Sequence, residues 1–186
     1  MTQITKKALA ASLKNLLTQK TLDKITVIDI ARDCEVNRQT FYYHFHDIYD
    51  LLEWTFLQEA TRALGADKTY ETWQQGFLNI FGYILDNKAL IGNIYHSAGR
   101  EQLVQYLYRE THHLLMDVVR KKAEGLPVHE DEMTFIAQFY KYAFVGILLE
   151  WIRAGMMQKP VDIVEKLTVL IQGNMEATLE RYSAGR

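Results

Sequence analysis

Cysteine, proline and β-strand signals are all scarce in this sequence. Its single cysteine, Cys34, excludes a disulfide within the chain and fits a reducing cytoplasm. Its two prolines, Pro127 and Pro160, lie outside the strongly helical stretches, and neither sustained period-two alternation nor an Asn-Gly or Asp-Gly hairpin signal occurs. The sequence therefore predicts an all-α protein of the cytoplasm.

Bulk positive charge and long apolar runs are also absent. The formal net charge is −2, which excludes a chain that binds nucleic acid through an overall positive charge. The longest apolar window, 135–157, contains Lys141, Glu150 and Arg153, and therefore predicts a buried helix rather than a membrane span. Near the N-terminus, Lys14 interrupts the apolar stretch before it reaches the length of a signal peptide. We therefore expect no membrane association and no signal peptide.

The charges are distributed unevenly along the chain. Residues 1–46 contain seven Lys or Arg and four Asp or Glu, a net charge of +3, so the other 140 residues carry −5. A modestly basic head on an acidic body suits a contact surface confined to one end. We therefore predict two domains, a head at residues 1–46 and a body at residues 47–186.

The predicted helices follow from apolar residues at helical spacing and from residues that begin or end helices. Gly125 and Pro127 end one long helix, and Pro160 suits the first position of another. Capping boxes are predicted at Asp47 with Asp50 and at Thr72 with Gln75. In the first helix, the side chains predicted to face inward are Ile4, Leu9, Leu13, Leu16 and Leu17. The predicted helices span residues 2–19, 27–34, 38–45, 47–64, 72–86, 88–97, 100–124, 130–154 and 160–182.

Two short helices joined by a tight turn are predicted within residues 26–45. Thr26 can cap the first helix, and Asp29 follows where its carboxylate can reach back to a free backbone N–H. Asn37 is a strong N-cap for the second helix, which contains no acid. A helix–turn–helix whose second helix is polar, rich in donors and free of acids suits a polyanion, and we interpret it as a contact with double-stranded DNA. The alternative is a purely structural pair of helices.

The second helix of this pair carries groups that suit both bases and phosphates. Arg38 and Gln39 stand at its start, the end that usually enters the major groove, where Arg can bond guanine and Gln adenine. Thr40 can contact a thymine methyl group or a phosphate. Tyr42, Tyr43 and His44 can donate to phosphate oxygens, which fixes position without reading sequence. The two phenylalanines of the same helix, Phe41 and Phe45, are predicted to face the core.

Residues 26–52 resemble the DNA-binding segment of the TetR family of bacterial transcriptional regulators. The family pattern is a capping Thr, Ile-Ala, a short turn, Thr-aromatic-Tyr-x-His-Phe and paired leucines. This chain matches it with Thr26, Ile30-Ala31, Thr40-Phe41-Tyr42-Tyr43-His44-Phe45 and Leu51-Leu52. The resemblance implies an all-helical homodimer in which each three-helix head reads half of an inverted repeat, and a C-terminal domain dimerises and binds an effector. The DNA-binding residues indicated together by the motif and the resemblance are Thr26, Arg38, Gln39, Thr40, Tyr42, Tyr43 and His44.

The sequence departs from the family pattern at three positions. The family usually has a glycine in the turn where this chain has Glu35, so either the turn relaxes or Glu35 adopts a strained left-handed conformation. After the His-Phe pair the family commonly places lysines, whereas this chain has His46 and Ile48. The loss of cationic phosphate contacts predicts weaker and less salt-sensitive DNA binding than in a typical member.

Residues 135–167 are similar to the C-terminal region of a TetR subgroup that includes regulators of dihydroxyacetone kinase operons. Members of that subgroup can act as activators with a protein co-activator. This resemblance implies control either by a small-molecule effector or by a co-activator protein.

The last two predicted helices carry apolar stripes wide enough for helix packing. Because two half-sites need two heads, we expect these stripes to form a homodimer interface, with packing wholly inside one chain as the alternative. Gly146 and Gly173 lower helix stability, which favours a close approach of helices there. The predicted interface residues are Phe144, Ile147, Leu148, Trp151, Ile163, Leu167, Leu170, Ile171 and Met175.

Aromatic and methionine side chains concentrate in the middle helices, where they form either an effector pocket or ordinary core. The candidate ligand-binding residues are Trp73, Phe77, Phe81, Tyr95, Tyr106, His113, Met116 and Phe139.

No catalytic or metal site is predicted. His112 and His113 are adjacent, so on a helix they point about 100° apart and do not share one metal ion. Neither a glycine-rich phosphate loop nor a Ser, His, Asp arrangement occurs. We therefore expect no enzymatic activity and no cofactor. The leading interpretation is a homodimeric, sequence-specific DNA-binding regulator; the alternative is a protein-interaction adaptor or co-regulator with a TetR-like fold and little DNA affinity.

Overall fold

A computed structural model describes residues 2–63 and 73–185, and within these ranges it contains helices and no strand. The prediction of an all-α protein is confirmed. Thr72 lies outside the described residues, and so does the capping box predicted there. The helices are α1 (Thr2–Leu17), α2 (Val27–Asp33), α3 (Arg38–His44), α4 (Ile48–Ala63), α5 (Trp73–Asp86), α6 (Lys88–Tyr95), α7 (Arg100–Lys122), α8 (Glu130–Arg153), α9 (Pro160–Ile171) and α10 (Asn174–Ala184), with a 3₁₀ turn at Leu22–Lys24.

The helix predicted at 160–182 is in fact two helices, α9 and α10. Gly173 adopts a left-handed conformation with φ 75°, and Gln172 before it has left the helical region with ψ 119°. Glycine reaches the left-handed region without a Cβ clash, so the chain can stop one helix and begin another there. The break was not predicted, because the apolar residues Ile171 and Met175 lie on either side of it and keep the helical spacing.

One compact unit of the chain contains α1–α4, α6 and the beginning of α7. Its core includes side chains with no exposed surface from four helices: Leu9, Leu13, Ile30, Phe41 and Leu51. Ile4 was predicted to face inward but is 75% exposed. Five residues rotate a helix by about 140°, which carries Ile4 well away from the face of Leu9.

The N-terminal helices are joined to α6 and to the start of α7 within this unit. The Asn93 side-chain amide donates to the carbonyl of Leu17 over 2.7 Å, and the Ala98 N–H donates to the Asp23 carboxylate over 3.0 Å. Gly99 lies so close to the 3₁₀ turn that a Cβ there would be 2.6 Å from a leucine methyl carbon. The end of α1 is therefore in direct contact with α6, and the 3₁₀ turn is in direct contact with the segment before α7.

The other compact unit contains α5, the remainder of α7, and α8–α10. Its core is aromatic: the rings of Phe77 and Phe144 have centroids 4.7 Å apart, and those of Phe81 and Trp151 also lie 4.7 Å apart. Gly76 allows α5 to approach α7, because a Cβ there would lie 2.4 Å from a side-chain carbon of Leu114. Packing of α5 against α7 and α8 therefore positions the interior of this unit.

By length and composition alone, α8 is apolar enough to cross a membrane. Its inner face is nevertheless part of the protein core, because Ala137, Phe144 and Leu148 have no exposed surface.

Candidate nucleic-acid interface

The N-terminus of α2 is fixed by the capping box that the sequence predicts. The Asp29 N–H donates to the Thr26 hydroxyl over 3.1 Å, and the Thr26 N–H donates to the Asp29 carboxylate over 2.9 Å. Lys20 forms an ion pair with the same carboxylate at 3.3 Å. The Thr26 backbone bond, chiefly, holds the pKa of Asp29 below its ordinary value. Thr26, a predicted DNA contact, thus lies exposed at a rigid helix start.

The N-terminus of α3 is fixed by Asn37. Its side-chain oxygen accepts a hydrogen bond from the Thr40 N–H at 2.8 Å and another from the Thr40 hydroxyl at 3.0 Å. Because the Thr40 hydroxyl donates to Asn37, its lone pairs and its methyl group are what remain for a nucleic acid. Arg38 and Gln39 follow directly after the cap and are both exposed.

One face of α3 is anchored in the core, as predicted. Phe41 has no exposed surface and Phe45 only 3%. The Phe45 ring packs edge-on against Trp54 of α4, and the Lys6 ammonium lies 5.1 Å from the centre of the Phe45 ring. This packing determines which face of α3 points outward.

The outward face of α3 is polar, aromatic and free of carboxylates. Tyr43 is 79% exposed and Tyr42 is 51% exposed. The Arg38 guanidinium lies 6.0 Å from the centre of the Tyr42 ring, and the Tyr43 ring meets His44 edge-on at 4.9 Å. No ion pair with an acid is found for these donors among residues 2–63 and 73–185, so they remain available to a polyanion.

The turn between α2 and α3 has Glu35 at the position where the family usually has a glycine. Glu35 has φ 55°, so the second of the two alternatives, left-handed strain, is correct. The Glu35 N–H donates to the carbonyl of Arg32, and the Val36 N–H donates to that of Ala31. These two bonds form a Schellman motif, which satisfies the last carbonyls of α2 but requires a left-handed residue.

Asp47 caps the start of α4, as predicted, but Asp50 does not complete the predicted capping box with it. The Asp50 N–H donates to the Asp47 carboxylate over 2.9 Å, and the His46 N–H donates to the Asp50 carboxylate over 2.9 Å. The bond from Asp50 is the main reason that the pKa of Asp47 is lowered. His46, which stands where the family commonly has a lysine, is thereby tied to acids on its own chain.

The residues predicted to form an effector pocket belong to both compact units of the chain. Tyr95 and Tyr106 are buried in the first compact unit, whereas Phe77 and Phe81 are buried in the aromatic core of the second. Met116 is also buried in the second unit, while His113 is exposed and Phe139 is 65% exposed on α8. Of this set, Trp73 lines a cavity of about 280 Å³ beside the break between α9 and α10.

Most of the predicted dimer residues are buried inside the second unit. These are Phe144, Leu148, Trp151, Ile163, Leu167, Ile171 and Met175. Leu170 is 68% exposed, and Ile147 is partly exposed beside it in a groove of about 510 Å³ between α8 and α9. Phe144 packs against Trp73 and Phe77 of α5, and Trp151 packs against Phe81 of the same helix.

Sequence reasoning missed a second apolar stripe on the outer face of α8. Phe135, Phe139 and Tyr142 are all exposed, and Gly146 continues the same line with no atom within 4 Å of its Cβ position. Their spacing of four, three and four residues places them on one face of a helix. That spacing is present in the sequence. Because the same helix carries two apolar stripes, the sequence alone does not show which of them faces outward.

Within the described part of the chain, no three His, Cys, Asp or Glu side chains form a group that could hold a metal ion. The rings of His112 and His113 are 6.4 Å apart. Burial, chiefly, lowers the pKa of His112, and the nearby Lys141 acts in the same direction.

Comparison with known proteins gives a consistent picture. The profile of bacterial regulatory proteins of the tetR family matches residues 9–54, and a transcriptional regulator C-terminal region matches residues 71–173. The HTH-type dhaKLM operon transcriptional activator DhaS of Lactococcus lactis subsp. lactis (strain IL1403) is 25% identical over 154 residues, which cover 82% of this chain and 81% of that protein.

Two solved structures have a similar fold. The dihydroxyacetone kinase operon activator DhaS matches with a TM-score of 0.70 and 22% identity, over 97% of this chain and 98% of that one. NalD, the secondary repressor of the MexAB-OprM multidrug efflux pump in Pseudomonas aeruginosa, matches with a TM-score of 0.58 and 15% identity, over 90% of this chain and 94% of that one.

Proposed function

This chain belongs to the TetR family of bacterial regulatory proteins, and from that premise we propose that it binds a specific inverted-repeat operator as a homodimer in the cytoplasm. The outward face of α3 carries the proposal. Gln39 and Tyr43 are exposed on the side of the helix opposite the buried Phe41, and no carboxylate lies on α3.

The residues of α3 divide into two roles. Arg38 and Gln39, at the N-terminal end of the helix, read base edges in the major groove. Tyr42, Tyr43 and His44 donate to phosphates and fix the register of the helix on the duplex. Thr26 and Thr40 add contacts at the starts of α2 and α3.

The homodimer forms through the outer faces of α8 and α9. An isologous interface needs a surface that is complementary to itself. The exposed stripe of Phe139, Tyr142 and Gly146 and the exposed Leu170 beside the groove supply apolar surface on adjacent helices of one unit. Contiguous exposed apolar surface of this kind marks interaction sites in soluble proteins.

An effector or a partner protein acting on the C-terminal domain controls DNA binding. The match of residues 71–173 to a regulator C-terminal region supports such a domain, and the relative named as a transcriptional activator is consistent with control by a partner.

Selection of duplexes from a random library, followed by fluorescence anisotropy, tests the proposal. The protein should enrich an inverted repeat and bind it saturably. Arg38→Ala and Gln39→Ala should change the enriched sequence, each losing about 1–3 kcal/mol on the original operator. Tyr42→Phe should weaken all duplexes alike, because only a phosphate contact is lost.

Two outcomes would contradict this division of roles. Equal losses on operator and random duplex for Arg38→Ala would assign that residue to the backbone. If no duplex gave a saturable complex while the protein still dimerised, the adaptor alternative would replace the operator-binding proposal.

A further inference from the structure

The break between α9 and α10 borders a cavity whose chemistry is distinct from the surrounding aromatic core. The cavity has a volume of about 280 Å³ and is lined by residues on both sides of the break and by the facing ends of α5 and α7. Gly173, in its left-handed conformation, forms part of the wall. This volume is close to the lower end of the usual range for small-molecule sites, about 300–1,000 Å³.

Part of the wall is apolar and buried. Trp73, Ile171 and Met175 line the cavity and are each less than 10% exposed. The Trp73 ring is held against Phe144 with centroids 5.0 Å apart. A surface of this kind accepts an aliphatic or aromatic group of a ligand.

The outer part of the wall carries one cation and one anion. Lys122, at the end of α7, forms an ion pair with Glu176, in the first turn of α10. The pKa of Glu176 is lowered, chiefly by the hydrogen bond from Lys122, so its carboxylate is charged at neutral pH. Gln74 and Gln172 add uncharged polar groups to the wall.

The opposite charges restrict the ligands that fit. A ligand with a single charge would pair with one of the two groups, take that group from its partner and lie beside a like charge. A zwitterion replaces the one ion pair with two and keeps the local charge at zero. The apolar part of the same molecule can then cover Trp73 and Met175.

We propose that this cavity binds a small zwitterion with an apolar side chain, of the free amino acid type. Its carboxylate contacts Lys122, its ammonium contacts Glu176, and its side chain packs on Trp73. The regulatory consequence rests on the proposed function: α9 ends at this cavity and also lines the groove between α8 and α9, so the ligand biases the helix that forms the dimer face.

Isothermal titration calorimetry with the full chain and no DNA tests the binding. L-Phenylalanine and L-leucine are the zwitterionic probes. 3-Phenylpropanoate and 4-methylpentanoate lack the ammonium, and 2-phenylethylamine and isopentylamine lack the carboxylate. At least one zwitterion should bind at least about tenfold more tightly than both of its singly charged analogues. Equal affinity across a series, or no saturable binding of either amino acid up to about 5 mM, overturns the proposal.

Charge variants at the two wall residues should redirect the preference. Glu176→Gln leaves Lys122 as the only charge and should make the carboxylate analogue the tighter ligand. Lys122→Gln should favour the amine analogue. Lys121→Gln and Glu180→Gln, exposed residues next to the site but outside its lining, are the matched controls and should keep the zwitterion preference. Wall variants that fold by circular dichroism but keep the original preference also overturn the proposal.

The two proposals fail separately. Zwitterion binding is measured without DNA, so its result does not depend on whether the protein binds an operator. Where both are observed, the ligand should change operator affinity in the wild type and not in a Trp73→Phe, Glu176→Gln double variant that still binds DNA. If the ligand left the operator affinity of the wild type unchanged, the proposed regulation would be wrong, but the proposed ligand site would not be contradicted.

Discussion

Glu35 is the residue at which this chain departs most clearly from local backbone preference. A non-glycine residue in the left-handed region costs about 1–2 kcal/mol, and the Schellman bonds of Glu35 and Val36 require that region. Glu35→Gly should therefore stabilise the protein by about 0.5–1 kcal/mol, less than the full strain because glycine loses more entropy on folding. Urea denaturation measures the change.

Two substitutions at the same position act as controls. Glu35→Asn should fall between wild type and glycine, because asparagine tolerates the left-handed region better than glutamate. Glu35→Val should destabilise the protein, since a β-branched side chain adds strain there. If glycine gave no gain in the denaturation midpoint, the turn would be relaxed in solution and the strain argument would be wrong.

The residues whose roles the sequence predicted correctly interact with partners close to them in the sequence. Thr26 and Asn37 accept hydrogen bonds from N–H groups three residues on, so residue type and spacing alone identify them as caps. Phe41 and Phe45 follow from helical periodicity in the same way. Phe139 could not be placed, because whether an apolar side chain faces the core or the outside of α8 depends on helices far away in the sequence.

At the scale of the helix, the capping carboxylates make stability depend on pH. The pKa of Asp29 and that of Asp47 are lowered chiefly by backbone hydrogen bonds at the starts of α2 and α4. The folded state therefore binds fewer protons than the unfolded state at these sites. Their contribution is present above the unfolded pKa, about 3.9, and is lost as the pH falls through the lower folded pKa.

We expect the thermal midpoint to fall as the pH is lowered from about 5 to about 3, and Asp47→Asn to flatten part of that fall. Near pH 7 the same variant should differ little from wild type, because asparagine also caps helices well. Differential scanning calorimetry across this range makes the comparison. A variant with the full wild-type slope would show that Asp47 does not contribute.

Helix α5 offers a matched test of close packing at two glycines. A Cβ at Gly76 would meet three side-chain carbons of Leu114 within 3.1 Å, whereas nothing lies within 4 Å of the Cβ position at Gly82. Gly76→Ala should destabilise the protein by about 1–3 kcal/mol through overpacking. Gly82→Ala should stabilise it by about 0.5–1 kcal/mol through helix propensity.

Guanidinium denaturation of both variants under one condition checks this difference in sign. Destabilisation by both would mean that Gly82 also meets a neighbour in solution. The same reasoning explains a failure of sequence reading: Gly76 and Gly82 look alike in the sequence, and only the position of Leu114 on α7 separates them.

At the scale of the whole molecule, the proposed dimer would let two recognition helices bind one operator at the same time. The sequence contained the reason for a dimer, because an inverted repeat needs two recognition helices, but most residues chosen for the interface proved to be buried in the chain's own core. Tertiary packing decided which apolar stripe remained outside. Phe135, Phe139 and Leu170 remain exposed and define the surface to be tested.

Leu170→Glu should separate the dimer, because the charge would be buried in the apolar groove between α8 and α9 of either copy. The single chain should remain folded, since Leu170 is 68% exposed and contributes little to the core. Val161→Glu is the matched control: it places the same charge on an exposed residue of α9 that does not line the groove.

Sedimentation velocity should show a monomer for Leu170→Glu and a dimer for Val161→Glu. Operator affinity should fall at least about a hundredfold with the monomer, because the second half-site no longer binds as part of the same complex. If the Leu170→Glu protein sedimented as a dimer, the interface would not lie at α8 and α9. The proposed arrangement of the two heads on the operator would then be contradicted.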